Sequence, residues 1–294
     1  MVDFRPIRSQ NAHLSSQFSW FVEFEEVIDA LEPRILFALS LKLDEGLLTI
    51  GGTGASDTIV ISKLEDNLSI AVNKSIFIMP GDEIQRINIK GLGGNDRISF
   101  GDGVNIAATI FGGDGNDLLS GGGRSNRLCG EAGHDTLVGS TGRDQFIGGI
   151  GIDTANFSQR LDDLVITLDG KPNDGTPTVG QTKGEGDNVM SDVEVVIGGA
   201  GDDSITGSAK RDILRGGAGD DTLIGNDGDD LLVGGDGADV IKGGLGDDTI
   251  MAIDLDSTDT VDGGDGFDSV AYDEAQGIKD TILGIENEVS VLVS

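Results

Sequence analysis

Aspartate returns at intervals of nine residues through two long stretches of this chain. Asp117, Asp135, Asp144 and Asp153 fall in a run from Gly112 to Asn156, and Asp203, Asp212, Asp221, Asp230, Asp239 and Asp248 in a run from Gly198 to Met251. Asp96 and Asp268 hold the same place in isolated units that begin at Gly91 and Gly263. Each carboxylate closes a glycine-rich hexapeptide, as in GGAGDD or GGDGND. Carboxylate and carbonyl oxygens together suit a hard cation, and Ca²⁺ takes ~6–8 of them at ~2.3–2.6 Å, more than one short turn can offer. Glycine at positions one, two and four permits positive φ, which lets a turn aim its carbonyl oxygens inward. The glycines expected to do this are Gly113 and Gly115, Gly199 and Gly201, Gly217 and Gly219, Gly235 and Gly237, and Gly244 and Gly246.

These carboxylates need a scaffold that repeats with them. Position eight of each unit is apolar: Ile98, Leu119, Leu128, Leu137, Phe146, Ala155, Ile205, Leu214, Leu223, Leu232, Ile241, Ile250 and Val270. A helix turns ~100° per residue, so successive ninth residues would alternate between opposite faces. Glycine in every unit also opposes helix. A six-residue turn followed by a three-residue strand fits each unit, and stacked strands bury position eight in one narrow core. A looser unit at Gly51, GGTGASDTIVI, carries an extra residue before Asp57. From Phe157 to Ile197 the period breaks, leaving strand-like runs at Leu164 to Leu168 and Val193 to Ile197. Between these runs, Asp169 to Asn188 reads as an exposed loop. Ahead of the repeats, Leu47 to Ile50, Thr58 to Ser62, Leu68 to Val72 and Ile87 to Lys90 read as alternating strands.

The units match G-G-x-G-x-D-x-U-x, the Ca²⁺-binding repeat of RTX proteins. On these residues the chain resembles the RTX, or haemolysin-type calcium-binding, family, clearly so over Gly91 to Asn156 and Gly198 to Ala271. The resemblance implies an all-β fold: a parallel β-roll, or β-solenoid, with calcium ions between its turns and short β segments as caps. It implies two nonapeptides per coil, so that each ion lies between turns eighteen residues apart. The expected carboxylate pairs are Asp117 with Asp135, Asp135 with Asp153, Asp203 with Asp221, and Asp221 with Asp239. On the opposite side they are Asp212 with Asp230 and Asp230 with Asp248. Asn126 replaces Asp in GGGRSNRLC and Arg124 takes a glycine position, so the site shared with Asp144 is expected to be the weakest. Lys210, Arg211 and Arg143 should weaken sites near them. Stacked carboxylates without an ion repel, which makes metal binding and folding one coupled event. The family is exported unfolded and folds outside the cell, so the resemblance implies a secreted, extracellular protein.

Composition agrees with a cation as partner. Asp and Glu number 52 against 20 Lys and Arg, a net charge of −32 that opposes compaction unless something cancels it. The same charge argues against nucleic acid, whose phosphates need clustered basic residues. No apolar run approaches the ~20 residues of a membrane span. Cys129 is the single cysteine, so no intrachain disulfide forms, and it reads as an ordinary strand residue. Of the two histidines, His13 and His134, the second falls at an outward turn position and reads as solvated. No His-Glu-x-x-His motif or Gly-x-Ser-x-Gly elbow is present, and the expectation is no enzyme.

The expected organisation is an export-related or disordered segment over 1–40, a β-rich cap or extension over 41–90, and a first repeat block over 91–156. Inserted strands and a loop follow over 157–197, then a second block over 198–271 and a C-terminal cap over 272–294. Leu31 to Ser40 either belongs to a Leu-Glu-Pro-Arg segment seen in large exported bacterial proteins or forms an amphipathic helix stopped by Pro33. Val289 to Ser294 reads as a capping strand or as part of an export signal. The functional expectation is a calcium-binding, structural or surface-associated module. The alternatives are a calcium-dependent adhesin for cell-surface glycans or other surface proteins, with Asp169 to Asn188 as its recognition loop, or a β-helical enzyme acting on polysaccharide.

Overall fold

The computed structural model describes residues 20–22, 40–177, 185–253, 258–273, 280–285 and 287–291. Residues 31–39 and the last three residues, with the expectations attached to them, lie outside these. The described residues form strands, turns and one short 3₁₀ turn at Gly81–Glu83, with no α-helix. Parallel pairing advances by eighteen residues: Leu119 pairs with Leu137, and Leu214 with Leu232. Two nonapeptides therefore make one coil, and the chain is a parallel β-roll as expected.

One face of the roll is a single 13-stranded sheet. It takes in Thr58–Leu64, Arg97–Phe100, Leu118–Ser120, Thr136–Val138, Thr154–Asn156, Val195–Ile197 and every second strand after that, ending at Asn287–Val291. Antiparallel strands Asn67–Val72 and Ser75–Pro80 extend its N-terminal edge. The other face is divided into an 8-stranded sheet, which ends at Asn188–Val189, and a 6-stranded sheet, which begins at Val165–Thr167. Position eight supplies the core between the faces: Ile98, Leu119, Leu128, Leu137, Phe146, Ala155 and their later counterparts through Ile250 are fully buried. Burying an Ile or Leu contributes about 1.5–3 kcal/mol, so a long column of them drives the coil to close.

The insertion joins the two halves of the divided face. Asn188–Val189 pairs with Gln145–Ile150, and Val165–Thr167 pairs with Ser204–Thr206. Between them runs a third pass of chain: Asp174 bridges Asp187 and Gly175 bridges Val165, both antiparallel. This face thus holds three passes where the 13-stranded face holds only the step from Thr154–Asn156 to Val195–Ile197. Asp174 knits the passes together by accepting from Thr167 N–H at 2.7 Å and Val189 N–H at 2.7 Å. The expectation of an exposed loop from Asp169 to Asn188 holds at Lys171, Pro172 and Asn173 and is corrected at Asp174, Gly175 and Asp187, which are buried. Buried main-chain groups must be paired, and a glycine- and aspartate-rich segment supplies both partners here.

Candidate metal centre

Each strand of the roll is preceded by a turn, and the turns stack into two edges. On the first edge, the N–H of Asp57 donates to Asp96 Oδ1 at 2.7 Å, Asp96 to Asp117 at 2.7 Å, Asp117 to Asp135 at 2.8 Å and Asp135 to Asp153 at 2.8 Å. Asp153 N–H donates to Glu194 Oε2 at 3.0 Å. The column resumes with Asp212 to Asp230, Asp230 to Asp248 and Asp248 to Asp268. On the second edge, Asn126 donates to Asp144 and Asp144 to Asp187. Beyond the insertion, Leu164 donates to Asp203, Asp203 to Asp221, Asp221 to Asp239, Asp239 to Asp259 and Asp259 to Asp280. Each pair at eighteen-residue spacing is thus coupled by one hydrogen bond, but the expected sides are corrected: Asp212, Asp230 and Asp248 continue the edge of Asp117, Asp135 and Asp153, and Asp203, Asp221 and Asp239 lie on the opposite one.

Position five carries a second ladder in the opposite sense. Asn116 Oδ1 accepts from His134 N–H at 2.9 Å, His134 Nδ1 from Ile152 N–H at 2.9 Å, and Asp220 Oδ1 from Ala238 N–H at 2.9 Å. His134 lies at the surface of the turn, yet its ring is one rung of this ladder rather than only solvated.

The second carboxylate oxygen separates the turns into two kinds. In Asp96, Asp117, Asp135, Asp153, Asp221, Asp230 and Asp248, Oδ2 is buried and meets no hydrogen-bond donor. In all seven of these turns the residue at position two is left-handed: Leu92 (φ 81°), Gly113 (116°), Glu131 (78°), Gly149 (115°), Gly217 (128°), Asn226 (80°) and Gly244 (123°). The turns of Asp239 and Asp268 share this conformation through Gly235 (125°) and Gly264 (101°). In the other kind, position two is not left-handed and its N–H closes the turn onto Oδ2. Thr53 does so to Asp57, Ser140 to Asp144, Gly199 to Asp203 at 2.7 Å and Ser208 to Asp212 at 2.6 Å.

The glycine expectation needs one correction. Position-one glycines, and Gly199 and Gly201, are absent from the left-handed set. Position one is glycine for space instead: a Cβ on Gly112 would stand 2.1 Å from Asp117 Oδ2. Gly235 needs glycine on both counts, since its φ is 125° and a Cβ would fall 2.0 Å from the Gly217 carbonyl oxygen.

A buried carboxylate oxygen without a donor is satisfied by a proton or by a hard cation. Among the described residues no three carboxylate, histidine or cysteine side chains converge on one point, so such a cation takes most of its oxygens from the main chain. A family model described as the RTX calcium-binding nonapeptide repeat, in four copies, matches residues 88–107, 109–123, 120–155, 197–232 and 224–252. These segments are RTX calcium-binding repeats. The matches take in every left-handed turn of this kind except that of Gly264 and Asp268, and they leave out the insertion. No curated protein gives a significant match to the chain.

The RTX turns are electrostatically tense without metal. Burial pushes Asp96 from 3.8 up to about 7, against the N–H of Asp57 that lowers it, and the neighbouring carboxylates of Asp117 and Asp57 add to the rise. Asp221 and Asp230 are raised to about 7 and Asp135 and Asp248 to about 6, again chiefly by burial. The RTX spacing did not identify Asp174, Asp187, Glu194, Asp259 and Asp280 as part of these edges. A common signal marks four of them: an acidic residue two before a strand apolar residue, as in Asp187 with Val189, Glu194 with Val196, Asp259 with Val261 and Asp280 with Ile282.

The Gly235→Ala variant is expected to lose about 2–4 kcal/mol, combining a left-handed alanine with a main-chain collision. Urea unfolding at saturating calcium measures it. Gly123→Ala supplies the control, because the nearest atom to a Cβ there is 3.9 Å away.

Proposed function

We propose that this chain is an extracellular module whose RTX roll folds when calcium fills its left-handed turns, and that its role is structural and surface-associated. The observation that carries this reading is the row of buried Oδ2 atoms that lack a donor within the calcium-binding repeats. The residues that would hold calcium are Asp96, Asp117, Asp135, Asp153, Asp230, Asp248 and Asp268 on the first edge, and Asp221 and Asp239 on the second. Asp144, Asp203 and Asp212, candidate ligands from the sequence, already have Oδ2 satisfied by their own turns. A bound calcium supplies the positive charge that offsets stacked carboxylates and carbonyls. The chain contributes the rest: left-handed position-two residues set the turn, and the apolar column holds successive turns in register.

Such a module remains extended where calcium is scarce and folds where it is plentiful, the order required for export before folding. The segment that an adhesin reading would use for recognition is tied into the roll through Asp174 and Asp187. That favours a structural role over glycan recognition.

Far-UV circular dichroism of metal-depleted protein during a calcium titration tests the proposal. A cooperative rise in β signal with calcium, and none with magnesium at equal concentration, is the expected result. A full β spectrum in chelator that calcium leaves unchanged would make the roll a metal-independent scaffold.

A further inference from the structure

The second edge of the first repeat block is built differently from the edge opposite. Its two repeat turns, Gly121 to Asn126 and Gly139 to Asp144, carry no donor-starved aspartate oxygen; the first on this edge comes at Asp187, in the insertion beyond the repeats. Protein donors occupy the oxygens instead. Asn126 Nδ2 lies 2.8 Å from the Gly122 carbonyl oxygen, 2.9 Å from Asp144 Oδ1 and 3.4 Å from Ser140 Oγ, and it also donates to the Arg124 carbonyl. An amide has two hydrogens, yet four oxygens surround this nitrogen. Four oxygens around one centre is the environment of a cation. The amide oxygen, Oδ1, is left buried without a partner, so the side chain has been oriented for its nitrogen.

One coil further on, a guanidinium takes the corresponding part. Arg160 is 6% exposed, donates from Nη1 to the Ser140 carbonyl at 3.0 Å, and pairs through Nη2 with both oxygens of Glu185 at 3.0 Å. Ser140 is the position-two residue of the Asp144 turn, so the arginine holds a carbonyl of the same column. A buried arginine paired with both oxygens of a carboxylate is fixed in place.

We propose that the Asn126 amide and the Arg160 guanidinium stand in for calcium along this edge, which is therefore held without metal while the opposite edge of the same coils loads it. The inference rests on calcium filling the left-handed turns. It makes the first block asymmetric, with ions beside Asp117, Asp135 and Asp153 and none beside Asn126 and Asp144. The second block, with left-handed turns on both edges, loads on both.

Asn126→Asp and Asn126→Ala test the assignment, with calcium per chain counted by elemental analysis after equilibrium dialysis and thermal unfolding followed with and without calcium. Asp at this position restores the acidic ligand to four waiting oxygens. N126D is expected to bind one calcium more than the wild type and to regain wild-type stability in calcium alone. N126A is expected to gain no ion and to lower the folding constant about ten- to a hundredfold even in calcium, the range for orphaning buried polar groups. If N126D binds the wild-type number of ions and behaves as N126A does in calcium, the stand-in role is overturned. Hydrogen exchange of the wild type supplies a second readout: lowering calcium should release amides around Asp117 and Asp135 before those from Gly121 to Asn126. The reverse order also overturns the inference. A wild type that binds no calcium at all would instead remove the reading on which the inference stands.

Discussion

Acidifying metal-depleted protein from about pH 8 to about pH 5 is expected to increase its β structure, the reverse of ordinary acid denaturation. Asp96, Asp221 and Asp230 are raised from 3.8 to about 7, and Asp135 and Asp248 to about 6, with burial the main cause in each. Asp187 rises furthest, to about 8, first through burial and then through the nearby carboxylates of Asp144 and Glu185, which Arg160 offsets in part. A carboxylate raised on folding stabilises the fold fully below its unfolded pKa, and that contribution is lost as the pH rises through the folded value. For these groups the window runs from about 4 to about 8. Circular dichroism against pH, on protein dialysed free of divalent ions, measures the effect. Loss of β signal on acidification would show that the edges are not under carboxylate strain. Calcium binding should follow the opposite course, because each ion must displace protons, so the calcium midpoint rises as the pH falls.

The second large effect is expected in the core. Phe146 is fully buried at position eight, where most other units hold Leu or Ile. Its ring centroid lies 5.2 Å from that of Phe157 at an interplanar angle of 56°. Phe157 in turn lies against Gly139, where a Cβ would fall 2.5 Å from the ring. The two rings fill the roll where the regular coil gives way to the insertion. Phe146→Ala is expected to lose about 3–5 kcal/mol, a large share of the ~5–15 kcal/mol that holds a domain together. Chemical unfolding at saturating calcium measures it, with Ile98→Val as a mild comparison at about 0.5–1.5 kcal/mol. Equal losses for the two variants would mean that the core relaxes around Phe146 and that the junction is not tightly packed.

The roll was legible in the sequence because its two determinants repeat with one period. Position eight marked the buried column, and the eighteen-residue coil follows the pairing of Leu119 with Leu137. Asp259 and Asp280 were missed because their coils run to 20 and 21 residues, which moves them out of register. Asp187 and Glu194 were missed because the insertion separates them by 43 and 41 residues from Asp144 and Asp153. The division of turns into two kinds has a partial sequence signal, a hydroxyl residue at position two in the turns of Thr53, Ser140 and Ser208, but glycine there does not decide it. Gly199 and Gly217 are both glycine at position two, yet only Gly217 is left-handed, while Leu92, Glu131 and Asn226 adopt that conformation without glycine. Context decides it: Gly199 stacks on Arg160, and Ser140 follows the turn that holds Asn126, both departures from the repeat.

The unequal number of passes on the two faces has a geometric consequence. Adjacent strands lie ~4.8 Å apart, so two surplus passes lengthen one face by about 9–10 Å over the distance of a single coil. The 13-stranded face crosses the same place without interruption. The surplus length on the divided side has two outlets: the extra passes bow outward from that face, or the roll bends at the insertion.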